Sequence, residues 1–460
     1  MGRVAVVGGG ITGLTAALRL AQTGHAVVVV ERSHGFGGKI RTSPFAGLPA
    51  VDEGADAFLA RVPWAVELCD ELGVREQLVS PASGKAYIWW NGSLHPIPDG
   101  LVLGVPAGLG CLAGSHLLSW PGKLRAAVEP LLPRERRADA TDNLGALVRR
   151  RFGAEVLVRL VDPLIGGINA GDADHLSLAA SAPQIGEVAA SHRSLLVGLR
   201  RGGPRRDPSA PVFLAPIGGM SIIVDRMLDR LRELGVELRP GVEVGGVERH
   251  GQRWAIDDVG LDDGVDGVVL ATPAHVATRL LRAVAPAAAE LVGEIEHASV
   301  AMVTLAFDEG AVRRVLDGSG HLVPKPQQRS ITAASWASTK WAHLASPGQV
   351  VLRVSLGRYG ASDVLERDDD GLVAAACADL VAQLGVRADP TAARVTRWDQ
   401  AFPQYLPGHL DRVGAIEREM TSAAPGLVLA GAAYRGVGIP ACIRQGGEAA
   451  RLVHAHLSRP

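Results

Sequence analysis

Aromatic side chains make up only 4% of this 460-residue chain, and there are just four cysteines. Cys69, Cys111, Cys377 and Cys442 stand far apart, with no C-x-x-C pair and no neighbouring histidine set. That spacing argues against a zinc site and a dithiol redox pair, and leaves buried reduced thiols as the expectation. An excess of one charge is also missing. Lys and Arg total 47 against 48 Asp and Glu, so no basic field marks a nucleic-acid binder. Long apolar runs are scarce: residues 4–7 are too few for a signal peptide and break into glycines, so the cytoplasm is the expected compartment.

Glycine is what the chain has in excess. It supplies 56 residues, about 12% against a usual value of about 7%, without a collagen-like period. Such glycines serve tight backbone geometry, often around a ligand. With 47% hydrophobic and 21% charged residues the chain is globular, and its length calls for more than one core.

Residues 3–31 read as one βαβ unit. RVAVVGGG is a β-branched strand ending in glycine; Leu14, Ala17, Leu18 and Ala21 then recur at helical spacing until Gly24 stops them. AVVVVE is a second strand, apolar throughout, as a parallel sheet covered on both faces requires. Between them Gly8-Gly9-Gly10-Ile11-Thr12-Gly13 satisfies G-x-G-x-x-G. In this pattern Gly8 makes the turn, Gly10 lets a pyrophosphate approach the backbone, and Gly13 lets the helix pack on the sheet. The helix N-terminus offers unpaired N–H groups to the phosphates. Glu31 ends the second strand, where a carboxylate would accept both ribose hydroxyls.

After Glu31-Arg32 the chain does not continue with regular βα units. It makes a second glycine turn, Gly37-Gly38-Lys39-Ile40-Arg41, whose cations can neutralise a pyrophosphate. Near the other end a strand opens into Gly431-Ala432-Ala433-Tyr434-Arg435-Gly436-Val437-Gly438-Ile439-Pro440, followed by a closing helix expected over 443–457. A helix N-terminus there could stabilise charge on a reduced flavin. First and last segments thus converge on one extended cofactor. A second G-x-G-x-x-G for NADPH is missing, which argues against a pyridine-nucleotide disulfide reductase.

Residues 101–119 contain no charged side chain but hold Pro106 and four glycines, too many for a membrane-spanning helix. A buried irregular segment or cavity wall is the first expectation; a membrane-dipping or channel-lining surface is the second. Residues 121–207 are Arg-rich (RERR at 134–137, RRR at 149–151, LRRGGPRR at 199–206), with 14 Lys and Arg against 10 Asp and Glu. Solvated helix faces are the ordinary reading of such runs, and attraction of a polyanion or a membrane surface is the other.

Further blocks carry a resemblance: DEGADAFL (52–59), GSLHPIPDGLVLGVP (92–106), RFGAEVLVRLVDPLIGGINAGDADHLSL (151–178), APIGGM (215–220), SWASTKWAHL (335–344), RWDQAFPQYLPGHLDRV (397–413) and GAAYRGVGIPACIRQG (431–446). Together with ERSHGFGGKIRT they resemble the flavin-containing protoporphyrinogen and coproporphyrinogen oxidases, within the larger amine-oxidase-like flavoprotein group. The short form with Asn in GGINAG is similar to bacterial members that act on coproporphyrinogen III in the Gram-positive haem route.

The resemblance implies an α/β, FAD-binding Rossmann-like fold with a mixed-sheet substrate domain and a helical domain that touches membrane in some members. The division it suggests is a flavin domain in three pieces (1–95, 208–280, 396–460), a helical domain (96–207) and a substrate domain (281–395). FAD, bound non-covalently, would be contacted by Gly8 through Gly13, Glu31, Arg32, Lys39, the turn Gly54-Ala55-Asp56-Ala57, Val244, Trp398 and Val437-Gly438-Ile439. The chain departs from the family where Gly-Ala-Asp-Ala replaces Gly-Pro-Asp-Ser, which spares backbone contacts and removes a hydroxyl. The implied reaction removes six electrons and six protons from a porphyrinogen, with O2 as final acceptor and hydrogen peroxide formed.

No general acid or base announces itself, and the pyrrole nitrogens can assist the oxidation themselves. Arg61, Lys340 and Arg358 are candidate partners for substrate carboxylates, while His343 and His409 read as structural. The implied partners are a tetrapyrrole, O2, a ferrochelatase or other haem-pathway enzyme, and peripheral membrane contact. Two other classes stay open: an amine oxidase or polyene desaturase on the same scaffold, disfavoured by the few aromatics available for a cage, and a non-catalytic FAD or haem carrier.

Overall fold

The structure, a computed structural model, describes residues 1–134, 142–202, 210–261 and 263–459. Its nucleotide-binding unit is a five-stranded parallel sheet in the order Glu237–Pro240, Ala26–Glu31, Arg3–Val7, Gly267–Leu270, Leu427–Leu429. Side chains alternate between its faces. Val4, Val6, Val27 and Val29 pack beneath the helices Ile11–Gln22, Ser221–Glu233 and Ile439–Leu457. Ala5, Val7, Val28 and Val30 pack beneath Ala274–Leu281, Pro286–Gly293 and His409–Ala423. Helices on both faces explain why AVVVV carries no polar alternation. The sheet draws on the first, third and last sequence segments.

The second unit is a seven-stranded mixed sheet in the order Ala392–Pro403, His297–Asp308, Gln349–Leu356, Ile331–Ser335, Gly320–Leu322, Tyr87–Trp90, Ser93–Pro96. One face is apolar: Phe307, Leu352 and Val354 pack with Leu372 and Leu380 of the helix Asp369–Leu384. The other carries Arg353, Arg394 and Thr396, which reach residues 43–56 of the nucleotide unit. Two expected domain limits shift here. Residues 87–96 straddle the expected 95/96 limit at the end of the first flavin segment, but Tyr87 pairs with His321, so both strands edge the mixed sheet. The strand Ala392–Pro403 runs through the 395/396 limit because it pairs along the whole of His297–Ala306. We propose the five-segment division with these two shifts; its 207/208 limit lies outside the described residues.

The helical region has its own core, including Leu112, Leu117, Leu147, Phe152, Leu160 and Ile185, and meets the mixed sheet through Ile88 and Leu322. It is tied by a fully buried carboxylate. Glu129 accepts from Arg151 Nε at 2.7 Å and from the backbone N–H of Leu195 at 2.9 Å, at the start of the helix Leu195–Gly202. A buried charge needs such partners. The charge-free stretch is partly interior: Val105, Leu112, Leu117 and Leu118 are buried, while Leu109 is exposed. Of the charge runs, Arg136, Arg137, Arg205 and Arg206 lie outside the described residues. No helix among the described residues is long and apolar enough to cross a membrane.

Candidate functional site

The first glycine turn shows two kinds of glycine requirement. A Cβ at Gly13 would meet the Gly8 carbonyl oxygen, so the helix Ile11–Gln22 sits against the preceding turn only because that side chain is absent. Around Gly10 a Cβ would meet nothing within 4 Å. Its backbone is ordinary extended (φ −75°, ψ 175°) as it caps the helix. The protein itself therefore does not demand glycine there. An approaching ligand would, and this fits the diphosphate of a dinucleotide. The second glycine turn packs on the first through Gly37 N–H to the Gly9 carbonyl, 2.8 Å, which places Lys39 beside the opening.

Glu31 is set in place by two backbone donors, Gly9 N–H at 2.7 Å and Ser33 N–H at 2.8 Å. Arg32 follows it, exposed, and Val244 is buried just beyond the strand that pairs with Ala26–Glu31. Lys39 is exposed as a residue, but its ammonium donates to the Ala401 carbonyl, where crowding protein atoms desolvate it and lower its pKa.

The turn at 54–57 is held from the mixed sheet. A Cβ on Gly54 would lie 2.5 Å from the Lys39 carbonyl and 3.2 Å from the Trp398 ring, so the structure brings these three predicted residues together. Trp398 Nε1 donates to the Glu53 carbonyl at 3.2 Å, and the Arg41 guanidinium covers its ring. Asp56 is bound by Lys340 at 2.9 Å, Arg353 at 3.0 Å and Trp341 Nε1 at 3.2 Å. Burial alone would raise its pKa, but the ammonium and guanidinium hold it well below the usual carboxylate range. Ala55 is exposed and Ala57 lies against the neighbouring core.

The closing helix begins at Ile439, earlier than the sequence suggests, because Pro440 occupies its first turn, where the missing N–H costs nothing. Gly438 caps it, and Val437 precedes the cap. A Cβ on Gly446 would meet the Thr12 carbonyl, so this helix packs directly on the motif helix and brings the two ends of the chain together. Tyr405 fixes the glycine loop: its hydroxyl accepts from Gly436 N–H at 2.8 Å and donates to the Ala432 carbonyl at 2.6 Å. His409 stacks on Tyr405 at 4.0 Å and contacts the Tyr434 carbonyl through Nε2 at 2.8 Å.

The three candidate substrate cations do not gather. Arg61 is exposed ahead of the helix Pro63–Glu71. Lys340 is committed to Asp56. Arg358 is buried on Asp162, 3.0 Å, and lines a separate cavity of about 550 Å³ with Lys325, Arg329 and Tyr359. The reason is the same for both: a buried carboxylate takes the nearest cation. Sequence reasoning missed Arg353 and Tyr405. The first had a signal, being the only charge in QVVLRVSL; the second lay within a recognised block without a role.

The two glycines separate folding from binding. Gly13→Ala should destabilise the protein by about 1–3 kcal/mol through overpacking. Gly10→Ala should leave thermal stability equal or raised by about 0.4–1 kcal/mol, yet lose the cofactor on gel filtration. Full cofactor retention by Gly10→Ala would contradict the assignment.

Residues 11–454 match the family of flavin containing amine oxidoreductases. A coproporphyrinogen III oxidase of Bacillus subtilis (strain 168) is 33% identical over 97% of this chain and 96% of its own. Its counterpart from Mycobacterium leprae (strain TN) is 35% identical, covering 99% and 98%. Among solved structures, a protein of Exiguobacterium sp. 255-15, provisionally described as a protoporphyrinogen oxidase, superposes with a TM-score of 0.86 at 30% identity over 99% of both chains. The chain belongs to the flavin-containing amine oxidoreductases, in the branch that holds the bacterial coproporphyrinogen III oxidases.

Proposed function

We propose that this oxidoreductase converts coproporphyrinogen III to coproporphyrin III, with FAD held non-covalently and O2 as acceptor. The observation that carries the reading is identity to coproporphyrinogen III oxidases along nearly the whole chain. The open glycine turn with Glu31 and Lys39 beside it suits a flavin dinucleotide. Bound there, the flavin supplies a two-electron acceptor. The chain's own share is placement: Glu31 for the ribose, Lys39 and the N-terminus of Ile11–Gln22 for phosphate, and the Asp56 and Tyr405 contacts to hold both flanking turns still. Overall, six electrons and six protons leave the substrate and reduce O2 to hydrogen peroxide. The alternative, protoporphyrinogen IX oxidation, has support from the description of the Exiguobacterium protein. The product is the kind of porphyrin into which a ferrochelatase inserts metal, which is the chemical ground for proposing that enzyme as a partner.

Non-covalent attachment is favoured by the thiol nearest the glycine loop. Cys442 is buried, and desolvation raises its pKa, which keeps it neutral and poorly nucleophilic. The purified protein should be yellow, and acid precipitation should release all its FAD into the supernatant. Glu31→Ala should weaken FAD retention by about 1.5–3 kcal/mol. Yellow colour that stays with the pellet would exclude this form of binding.

Coproporphyrinogen III carries four carboxylates and protoporphyrinogen IX two. One extra charge-assisted partner is worth about 1.5–3 kcal/mol, roughly ten- to hundredfold in kcat/KM. With Lys340 held by Asp56, Arg358 by Asp162 and Lys325 by Asp172, the cavity cation offered to a carboxylate is Arg329. The four-carboxylate substrate should have the higher kcat/KM, by a margin that shrinks as salt rises. Equal efficiency on both at low ionic strength would favour the alternative.

Peripheral membrane contact has a surface to support it. Trp120, Leu124, Val128 and Leu131 are exposed at helical spacing along Trp120–Ala127 and the turn after it, and Lys123 lies 5.1 Å over the Trp120 ring. Apolar side chains rimmed by cations suit an anionic bilayer. The protein should co-sediment with vesicles rich in phosphatidylglycerol, and Trp120→Ser with Leu124→Ser should abolish this. Wild-type protein that stays in the supernatant at low salt would rule it out.

A further inference from the structure

Beside the second glycine turn, four basic side chains gather without an acid to offset them. Arg32 and Lys39 come from the loop after Ala26–Glu31, His275 from a helix and His297 from a strand, and the rings of His275 and His297 meet edge to face with centroids 6.0 Å apart. His275 opens the helix that follows Ala271, whose carbonyl abuts Gly8. His297 begins the strand His297–Asp308, next to the strand carrying Ala401, the carbonyl that Lys39 grips.

The acids nearby have other partners. Glu31 takes the Gly9 and Ser33 N–H groups, Glu243 pairs with Arg279 at 3.0 Å, and Glu296 accepts from the Tyr359 hydroxyl at 2.9 Å. His297 Nδ1 lies 2.8 Å from the Ile295 carbonyl, so that nitrogen carries the hydrogen. Its Nε2 has no hydrogen-bond partner among the described residues and is the atom that takes a second proton.

We propose that His297, seconded by His275, is a ligand of the cofactor diphosphate and takes up a proton when the dinucleotide binds. This rests on the FAD reading above. Burial, with Lys39 and His275 adding repulsion, pushes His297 down to about 4; burial and the charges of Arg32, Lys39 and Arg279 lower His275. His297 is therefore neutral near pH 6 without cofactor, and His275 is shifted in the same direction. A diphosphate reverses the local sign, raises both pKa values and draws a proton from solvent. Affinity for FAD then falls as pH rises through the histidine range.

Calorimetric titration of apoprotein with FAD at pH 6, in two buffers of different ionisation enthalpy, reads the proton directly. The expected result is uptake of about half to one proton per FAD, reproduced by ADP, which has the diphosphate without the flavin. His297→Gln should remove most of the uptake, and His275→Gln part of it, with FAD still bound. Should His297→Gln fail to fold, the pH slope of FAD affinity in wild type and His275→Gln answers the same question. Buffer-independent heat in a wild type that binds FAD overturns this proposal and leaves the cofactor reading intact, as does unchanged uptake in both variants. Failure of the wild type to bind FAD or ADP overturns both.

Discussion

One carboxylate decides how the two sheets meet. Asp56 sits on a turn of the nucleotide unit and is bonded by Lys340, Trp341 and Arg353, all from the mixed-sheet side. An unpaired charge in such surroundings costs several kcal/mol, so the units are held where all three donors reach it at once. The consequence runs outward. With the turn fixed, Gly54 lies against the Lys39 carbonyl and Trp398, and the second glycine turn is fixed against the first. Arg394, reaching Ser43 and the Val51 carbonyl, repeats the attachment further along the same sheet face.

The parts legible in the sequence are those whose cause is local. A β-branched run, a glycine turn and an apolar helical stripe lie within thirty-one residues and define the nucleotide unit almost without reference to the rest. The residues proposed for the cofactor, Gly10, Glu31, Lys39 and Gly54 among them, fall within such blocks, which is why the sequence alone offers them as candidates. Contacts that close over hundreds of residues leave no local trace. Lys340 and Asp56 are 284 positions apart, and Arg358 and Asp162 are 196 apart. Each basic residue looks alike in the chain whether it faces a ligand or a buried acid, so two cations assigned to substrate belong to the framework. The domain limits moved for a related reason: Tyr87 lies close in sequence to the nucleotide unit but finds its strand partner at His321.

The electrostatics around the site follow two opposite designs. At Asp56 the charges are satisfied within the protein, and the groups are rigid, partnered and shielded. Beside the second glycine turn they are not: burial and the neighbouring cations lower the pKa of both His275 and His297. Desolvation of these groups costs free energy, and on the FAD reading the cofactor diphosphate is the anion that returns it. A protein retains such strain where a polyanion will sit, because the cost carried beforehand becomes differential affinity for the anion afterwards. The closed cluster fixes geometry, and on the proposed reading the open one meets the charge of the cofactor. That division also accounts for the lack of an acid–base pair among the assigned residues. An oxidation whose protons can leave with the help of the substrate's own pyrrole nitrogens asks the protein for a steady frame and a well-held cofactor, and the charged residues described here serve those two demands.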